Sequence, residues 1–210
     1  FPQAGFELYA EWGRNDNRRS LRDFISEPEY NRGYILGFLK TFHLTDTRSL
    51  LLSTEFTNIE NSSVTSTFRD FNTWYEHEVI QQGFTHQGQS LGTGIGPGSS
   101  TQVFKLSYYE KRGMLGVSMQ RVAMHNDRFH RYRDTYRELY PYPEYWFMVD
   151  RHEVQMNYGF HGLLFLPYGL ELQLDYHIGK FENRYNIYQR DVTNRLLKVT
   201  LRSNVWKYFQ

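Results

Sequence analysis

Four glycines alternate at Gly92, Gly94, Gly96 and Gly98, with Pro97 among them and two histidines, His77 and His86, upstream. A glycine run can cradle a phosphate, but a phosphate loop ends in Lys-Ser/Thr, and a dinucleotide fingerprint needs a third glycine beyond Gly94-Ile95-Gly96. Neither pattern is met. The four are therefore read as loop-packing glycines, placed where the backbone needs unusual dihedrals or close approach to another segment. Glu76 and Glu78 flank His77, yet no His-Glu-x-x-His helix pattern occurs, so these groups are read as hydrogen-bonding rather than metal-ligating. Ser99, His86 and Asp70 can be assembled on paper into a nucleophilic set, but no Gly-x-Ser-x-Gly elbow accompanies them. No spacing singles out a carboxylate pair for glycoside cleavage. The expectation is a protein without enzymatic chemistry, cofactor or metal.

A second constellation is richer. Arg128, Arg131, Arg133 and Arg137 interleave with Phe129, Tyr132, Tyr136 and Tyr140, ahead of Tyr142, Tyr145 and Trp146. The flat C–H faces of sugar rings stack on aromatics, and arginine forks hold the carboxylates of anionic sugars bidentately. A polyanionic glycan is thus a chemically sensible partner. Asp134, Glu138 and Glu144, and lipopolysaccharide, compete for the same arginines. A net charge of +1 leaves no basic footprint for nucleic acid.

The elements that must position these residues are strands. From Tyr168 to Ile178, apolar or aromatic Tyr168, Leu170, Leu172, Leu174, Tyr176 and Ile178 alternate with Gly169, Glu171, Gln173, Asp175 and His177. Period-two alternation predicts a strand with one greasy and one wet side, long enough to cross a bilayer at a tilt. Similar patterns predict strands over Gly5–Gly13, Tyr30–Phe42, Ser49–Asn58, Thr101–Glu110, Met114–Met124, Arg151–Gly162 and Arg195–Phe209. Long polar loops near 14–29, 59–100, 125–150 and 179–194 alternate with short links, the rhythm of an outer-membrane barrel with short periplasmic turns and long extracellular loops. A soluble antiparallel barrel or sandwich is the competing architecture. The mean hydropathy of −0.67 does not exclude a barrel, whose lumen and loops are polar. Glu7, Glu11, Glu55, Lys105, Glu153, Glu171, Asp175, His177, Lys198 and Arg202 would face the lumen as a network of mixed sign. Aromatics are 18% of the chain, and Trp206, Tyr208 and Phe209 close it on a pattern resembling the signal that barrels present to their insertion machinery.

The segments Trp74-Tyr75-Glu76-His77, Gly83-Phe84-Thr85-His86-Gln87-Gly88-Gln89 and Leu91-Gly92-Thr93-Gly94-Ile95-Gly96-Pro97-Gly98-Ser99 together resemble the Wzi-type capsule-assembly outer-membrane barrel family. Phe6–Arg14 (FELYAEWGR), Leu21–Pro28 (LRDFISEP) and His125-Asn126-Asp127 are similar to the same family. The resemblance implies an all-β, antiparallel transmembrane β-barrel that holds capsular polysaccharide at the bacterial surface without catalysis. Such barrels have about eighteen strands, so the eight here would be the C-terminal half of a longer protein. Trp74, Tyr75, His77, His86, Arg128, Arg131, Arg133, Tyr142 and Trp146 are the polysaccharide-binding candidates. Outer-membrane lipid, lipopolysaccharide and a larger outer-membrane complex are the other expected partners. A passive channel or an assembly subunit is the alternative function, and an outer-membrane hydrolase ranks third.

Overall fold

A computed structural model describes residues 2–15, 21–26, 28, 31–61, 73–76, 79–80, 83–127 and 152–203. Among the described residues the chain is all-β apart from a six-residue helix, Leu21–Ser26, a helical turn at Asn126 and Asp127, and short 3-10 turns. Its strands are β1 (Phe6–Arg14), β2 (Arg32–Thr45), β3 (Arg48–Asn58), β4 (Thr85–His86), β5 (Gln89–Ser90), β6 (Ser100–Glu110), β7 (Gly113–Ala123), β8 (Val154–Leu166), β9 (Leu170–Glu182) and β10 (Val192–Ser203). Eight of them form one antiparallel sheet in the order β1-β2-β3-β6-β7-β8-β9-β10, and β4-β5 is a separate small hairpin. Among the described residues β1 and β10 do not pair, so the eight strands do not close on themselves.

Consecutive long strands are neighbours throughout, joined at one end by residues 46–47, 111–112 and 167–169. At the other end the connections are 15–31, 59–99, 124–153 and 183–191. All eight long strands differ from the alternation-based boundaries by at least one residue, and the largest differences fall on β8, β9 and β10. Tyr168 belongs to the turn Pro167–Gly169, with a left-handed φ of 62°, and β9 begins at Leu170. Pro167 lacks the N–H that would continue the ladder, which ends β8 at Leu166. At the far end the ladder continues through the pairs Gly179–Asn194, Lys180–Thr193 and Phe181–Val192, so the expected loop 179–194 shrinks to 183–191. The expected loops 14–29 and 59–100 also contain regular structure, the short helix and the β4-β5 hairpin. The terminal aromatics Trp206, Tyr208 and Phe209 lie outside the described residues.

Register decides which side chains share a face. Row by row, Leu36 pairs with Phe56, Leu52 with Leu106, Leu106 with Val117, Val117 with Phe160, Phe160 with Tyr176 and Tyr176 with Leu197. This apolar face is the exposed one: Leu8, Trp12, Leu36, Leu115, Val117, Leu197 and Val199 each leave 46% or more of their surface open. Among the described residues the buried hydrophobics are only Ile59, Val122 and Ala123, whereas ten polar or charged residues are buried. The usual inside-out order of a water-soluble sheet is reversed, and burial of apolar area on this face cannot be what holds the sheet together in water.

The opposite face is polar and knitted by hydrogen bonds across strands. Tyr9 on β1 lies across Gly37 of β2 and donates its hydroxyl to Glu55 Oε2 on β3 at 2.6 Å. Only a residue without a side chain fits beneath that ring, because a Cβ at Gly37 would come within 1.8 Å of Tyr9 Cζ. Asn157 receives a bond from Gln155 Nε2 at 2.8 Å and donates to Gln120 Oε1 at 3.1 Å. Of the residues expected on this face, Glu7, Glu11, Glu55, Lys105, Glu171, Asp175, His177, Lys198 and Arg202 share it by register. Glu153 instead precedes β8 and accepts the backbone N–H of Tyr185 at 2.8 Å.

Candidate functional site

The end of the sheet with long connections gathers the residues singled out from the glycine segment. Trp74 lies against the polar face where Gly13 and Gly33 pair across β1 and β2. A Cβ at either glycine would stand 3.2 or 3.0 Å from the indole, so the flat ring rests on bare backbone. Tyr75 follows with a left-handed φ of 64°, a conformation uncommon outside glycine, and packs edge-on to Trp74 at 5.9 Å. Phe84, largely exposed, stands 6.3 Å from Tyr75, extending the aromatic row outward. The backbone fixes this row: Phe84 N–H donates to Tyr75 O at 3.0 Å, and Leu91 N–H to Phe84 O at 2.8 Å.

From Phe84 the chain makes the β4-β5 hairpin, turning at Gln87 and Gly88, both with positive φ. His86 is exposed beside that turn, opposite Gln89. It is not brought to Ser99, which is fully buried, donates its hydroxyl to Pro97 O at 3.0 Å and accepts the His125 N–H at 3.0 Å. The glycine run divides by role. Gly92 faces the Tyr75 ring, 2.7 Å from a built Cβ, and Gly98 faces the Asp127 side chain at the same distance, both with positive φ. Gly94 has open space around it, and Gly96 meets only His125.

Asp127 is the hub that locks this segment to the sheet. It is fully buried, and its carboxylate accepts the Asn61 N–H at 2.7 Å and Asn61 Nδ2 at 3.1 Å. Burial pushes its pKa up from 3.8 to about 7, an effect added to by the nearby Glu60 charge and opposed by the bonds from Asn61 and the Thr73 side chain. Asn126 donates to Glu60 Oε2 and bonds His152 Nε2. Burial holds His152 below its ordinary value, so the ring enters this network neutral near pH 7. Residues 59–61, 73, 97–99, 125–127 and 152 are thus tied into one polar knot over the end of the sheet. His125-Asn126-Asp127 were visible in the sequence only through the family resemblance; the burial of Asp127 depends on Asn61 meeting it from beyond the end of β3, a contact 66 residues apart in sequence that alternation does not report.

A second cluster lies on the connection 183–191. Arg184 stacks over Phe181 and Tyr185 at 5.0 Å each, and Arg190 over Tyr185 at 5.2 Å. Tyr185 and Tyr188 are exposed. These residues carry no sequence signal of their own, because they are few and fall between two strong strand patterns. Of the polysaccharide-binding candidates, Trp74, Tyr75 and His86 lie at this end of the sheet as described above. His77, Arg128, Arg131, Arg133, Tyr142 and Trp146 lie outside the described residues.

Comparison with protein-family models, with curated proteins and with solved structures gives no match.

Proposed function

We propose that this chain is part of a bacterial outer-membrane β-barrel that holds capsular or other surface polysaccharide at the cell exterior, without catalysis. The observation that carries the reading is the reversed sheet, whose exposed face is apolar on strands from β1 to β10 while its other face is polar and internally hydrogen-bonded. A lipid environment is the solvent that makes such a face favourable. An 11-residue strand such as β3, at about 3.3 Å per residue and tilted near 45°, covers roughly 25 Å of membrane depth. Backbone groups on the outer edges of β1 and β10 need partners in lipid, so the barrel closes with further strands.

The short-turn end is then periplasmic, and the exposed Phe84, braced by Tyr75 and Trp74 beneath it, and the Arg184–Tyr185–Arg190 stack lie with the long connections at the extracellular end. Stacked aromatics and arginine forks are the groups that bind sugar faces and acidic sugars. The Wzi-type resemblance points to the same partner, and lipopolysaccharide, the insertion machinery and a larger outer-membrane complex fit the same placement. Deleting the gene for the intact protein and assaying cell-bound and released polymer separately tests this. The reading predicts that polymer is still made but moves into the medium. Unchanged bound polymer would remove the capsule function and bring forward a channel or assembly subunit, for which conductance in planar bilayers is the direct measurement.

A further inference from the structure

Half-way along the polar face, Ser118 of β7, Gly159 of β8 and His177 of β9 stand side by side in register, and His161 pairs with Asp175 in the adjoining row. Alternation turns all four side chains to the same face. Gly159 forms a floor without a side chain. A Cβ built there would lie 2.4 Å from Ser118 Oγ, 2.9 Å from His161 Nε2 and 3.2 Å from His177 Nδ1. Three lone-pair atoms from three strands therefore converge on one small volume. Atoms of His161, Asp175 and His177 that can coordinate a metal all lie within 4.8 Å of one another.

The surroundings orient these donors. Asp175 Oδ1 is 2.9 Å from His161 Nδ1, and Asp175 Oδ2 accepts Gln173 Nε2 at 2.7 Å. A carboxylate on Nδ1 selects the tautomer with its proton there and leaves the Nε2 lone pair directed at the shared volume. Lys198 pairs with Asp175 in register and balances its charge, which suits an orienting carboxylate better than a direct ligand.

We propose that this cluster is a site for a divalent transition cation of the zinc or nickel kind. His161 Nε2 and His177 Nδ1 are direct ligands, Ser118 Oγ or water fills a further position, and Asp175 orients His161. Imidazole nitrogen is the donor these ions favour, and the chain has no thiolate to compete for them. The cation would clamp β8 to β9 on the polar face, with Ser118 of β7 beside it.

Ser118 Oγ also lies 3.3 Å from His161 Nε2, so Ser118, His161 and Asp175 stand in the order of a nucleophilic triad. Two features favour the metal. Ser118 sits mid-strand between the paired strands β6 and β8, where backbone N–H groups are used by the ladder and none is left to form an oxyanion hole. His177, which closes the cluster, has no part in a triad.

The test uses the intact protein folded in detergent, stripped with chelator and titrated with zinc sulfate by calorimetry, with heat-modifiable gel mobility establishing that each variant is folded. The expected result is one equivalent bound by the unaltered protein, no binding by His161→Gln or His177→Gln, and roughly 10–100-fold weaker binding by Asp175→Asn. No binding by the unaltered protein, or binding by either histidine variant as tight as that of the unaltered protein, overturns the proposal. X-ray absorption of the zinc-loaded unaltered protein needs no variant. Imidazole nitrogens at about 2.0–2.1 Å support the site, and a shell of oxygens alone contradicts it. Ester hydrolysis by the stripped protein, lost in Ser118→Ala, would assign the cluster to nucleophilic catalysis and overturn the metal reading.

Discussion

Replacing Asp127 by Asn should remove a loss of stability of roughly 2.5 kcal/mol between about pH 5 and pH 8. Asp127 is fully buried, and its pKa rises from 3.8 to about 7 chiefly because burial penalises the charge. The folded state therefore binds a proton more tightly than the unfolded chain. Stability from this group is fully present below the unfolded value and is lost as pH climbs through the folded one. With those two values, linkage gives roughly 2.7 kcal/mol at pH 5 and about 0.1 kcal/mol at pH 8. The unaltered protein should thus lose roughly 2.5 kcal/mol more than Asp127→Asn over that interval. Urea unfolding from vesicles at the two pH values, for both proteins, isolates the difference because all other titrating groups are shared. An identical slope for both proteins would show that Asp127 does not carry the effect. A variant that loses more than the unaltered protein would show that the two bonds from Asn61 stabilise the carboxylate beyond its burial penalty.

Val117→Arg on the apolar face of β7 should cost about 2–4 kcal/mol in bilayer refolding, while Gln120→Arg on the polar face should cost far less. Equal costs would contradict the lipid-facing assignment. Gly37→Ala should destabilise by about 1–3 kcal/mol, because its Cβ would enter the Tyr9 ring, and most of that cost should vanish in a Tyr9→Ala background. Additive effects in that double-mutant cycle would refute the contact. Arg184→Ala with Arg190→Ala should weaken retention of an acidic polymer on cells while leaving heat-modifiable folding intact; unchanged retention would exclude this stack from glycan binding.

The long strands were legible because every second residue from Leu170 to Ile178 is apolar and the same period recurs in most of the others, whereas β2 carries apolar Ile35 and Leu39 on one face and Leu36 and Phe38 on the other. Alternation does not report φ, which is why Tyr168 looked like the first residue of β9 although Pro167 and Gly169 make it a turn. The hairpin around Gln87 and Gly88 has two-residue strands, too short for any period to show. The His161 cluster was hidden for a different reason. Asp175 and His177 were recognisable as polar-face positions, but Ser118, His161, Asp175 and His177 meet only once the registers Ser118–Gly159–His177 and His161–Asp175 are set. Asp127 likewise meets Asn61 only across 66 residues of sequence, and a single sequence carries no direct sign of that contact.

Cysteine scanning of β6 decides whether the apolar face meets lipid, since the chain contains no native cysteine. Single cysteines at Val103, Phe104, Lys105, Leu106, Ser107 and Tyr108 would carry an environment-sensitive fluorophore in the intact protein, reconstituted in vesicles. Lipid-borne nitroxide should quench the probes at Phe104, Leu106 and Tyr108, and aqueous iodide those at Val103, Lys105 and Ser107. Probes at Phe104, Lys105 and Leu106 all quenched by iodide alone would describe a sheet with water on both sides and would contradict the barrel.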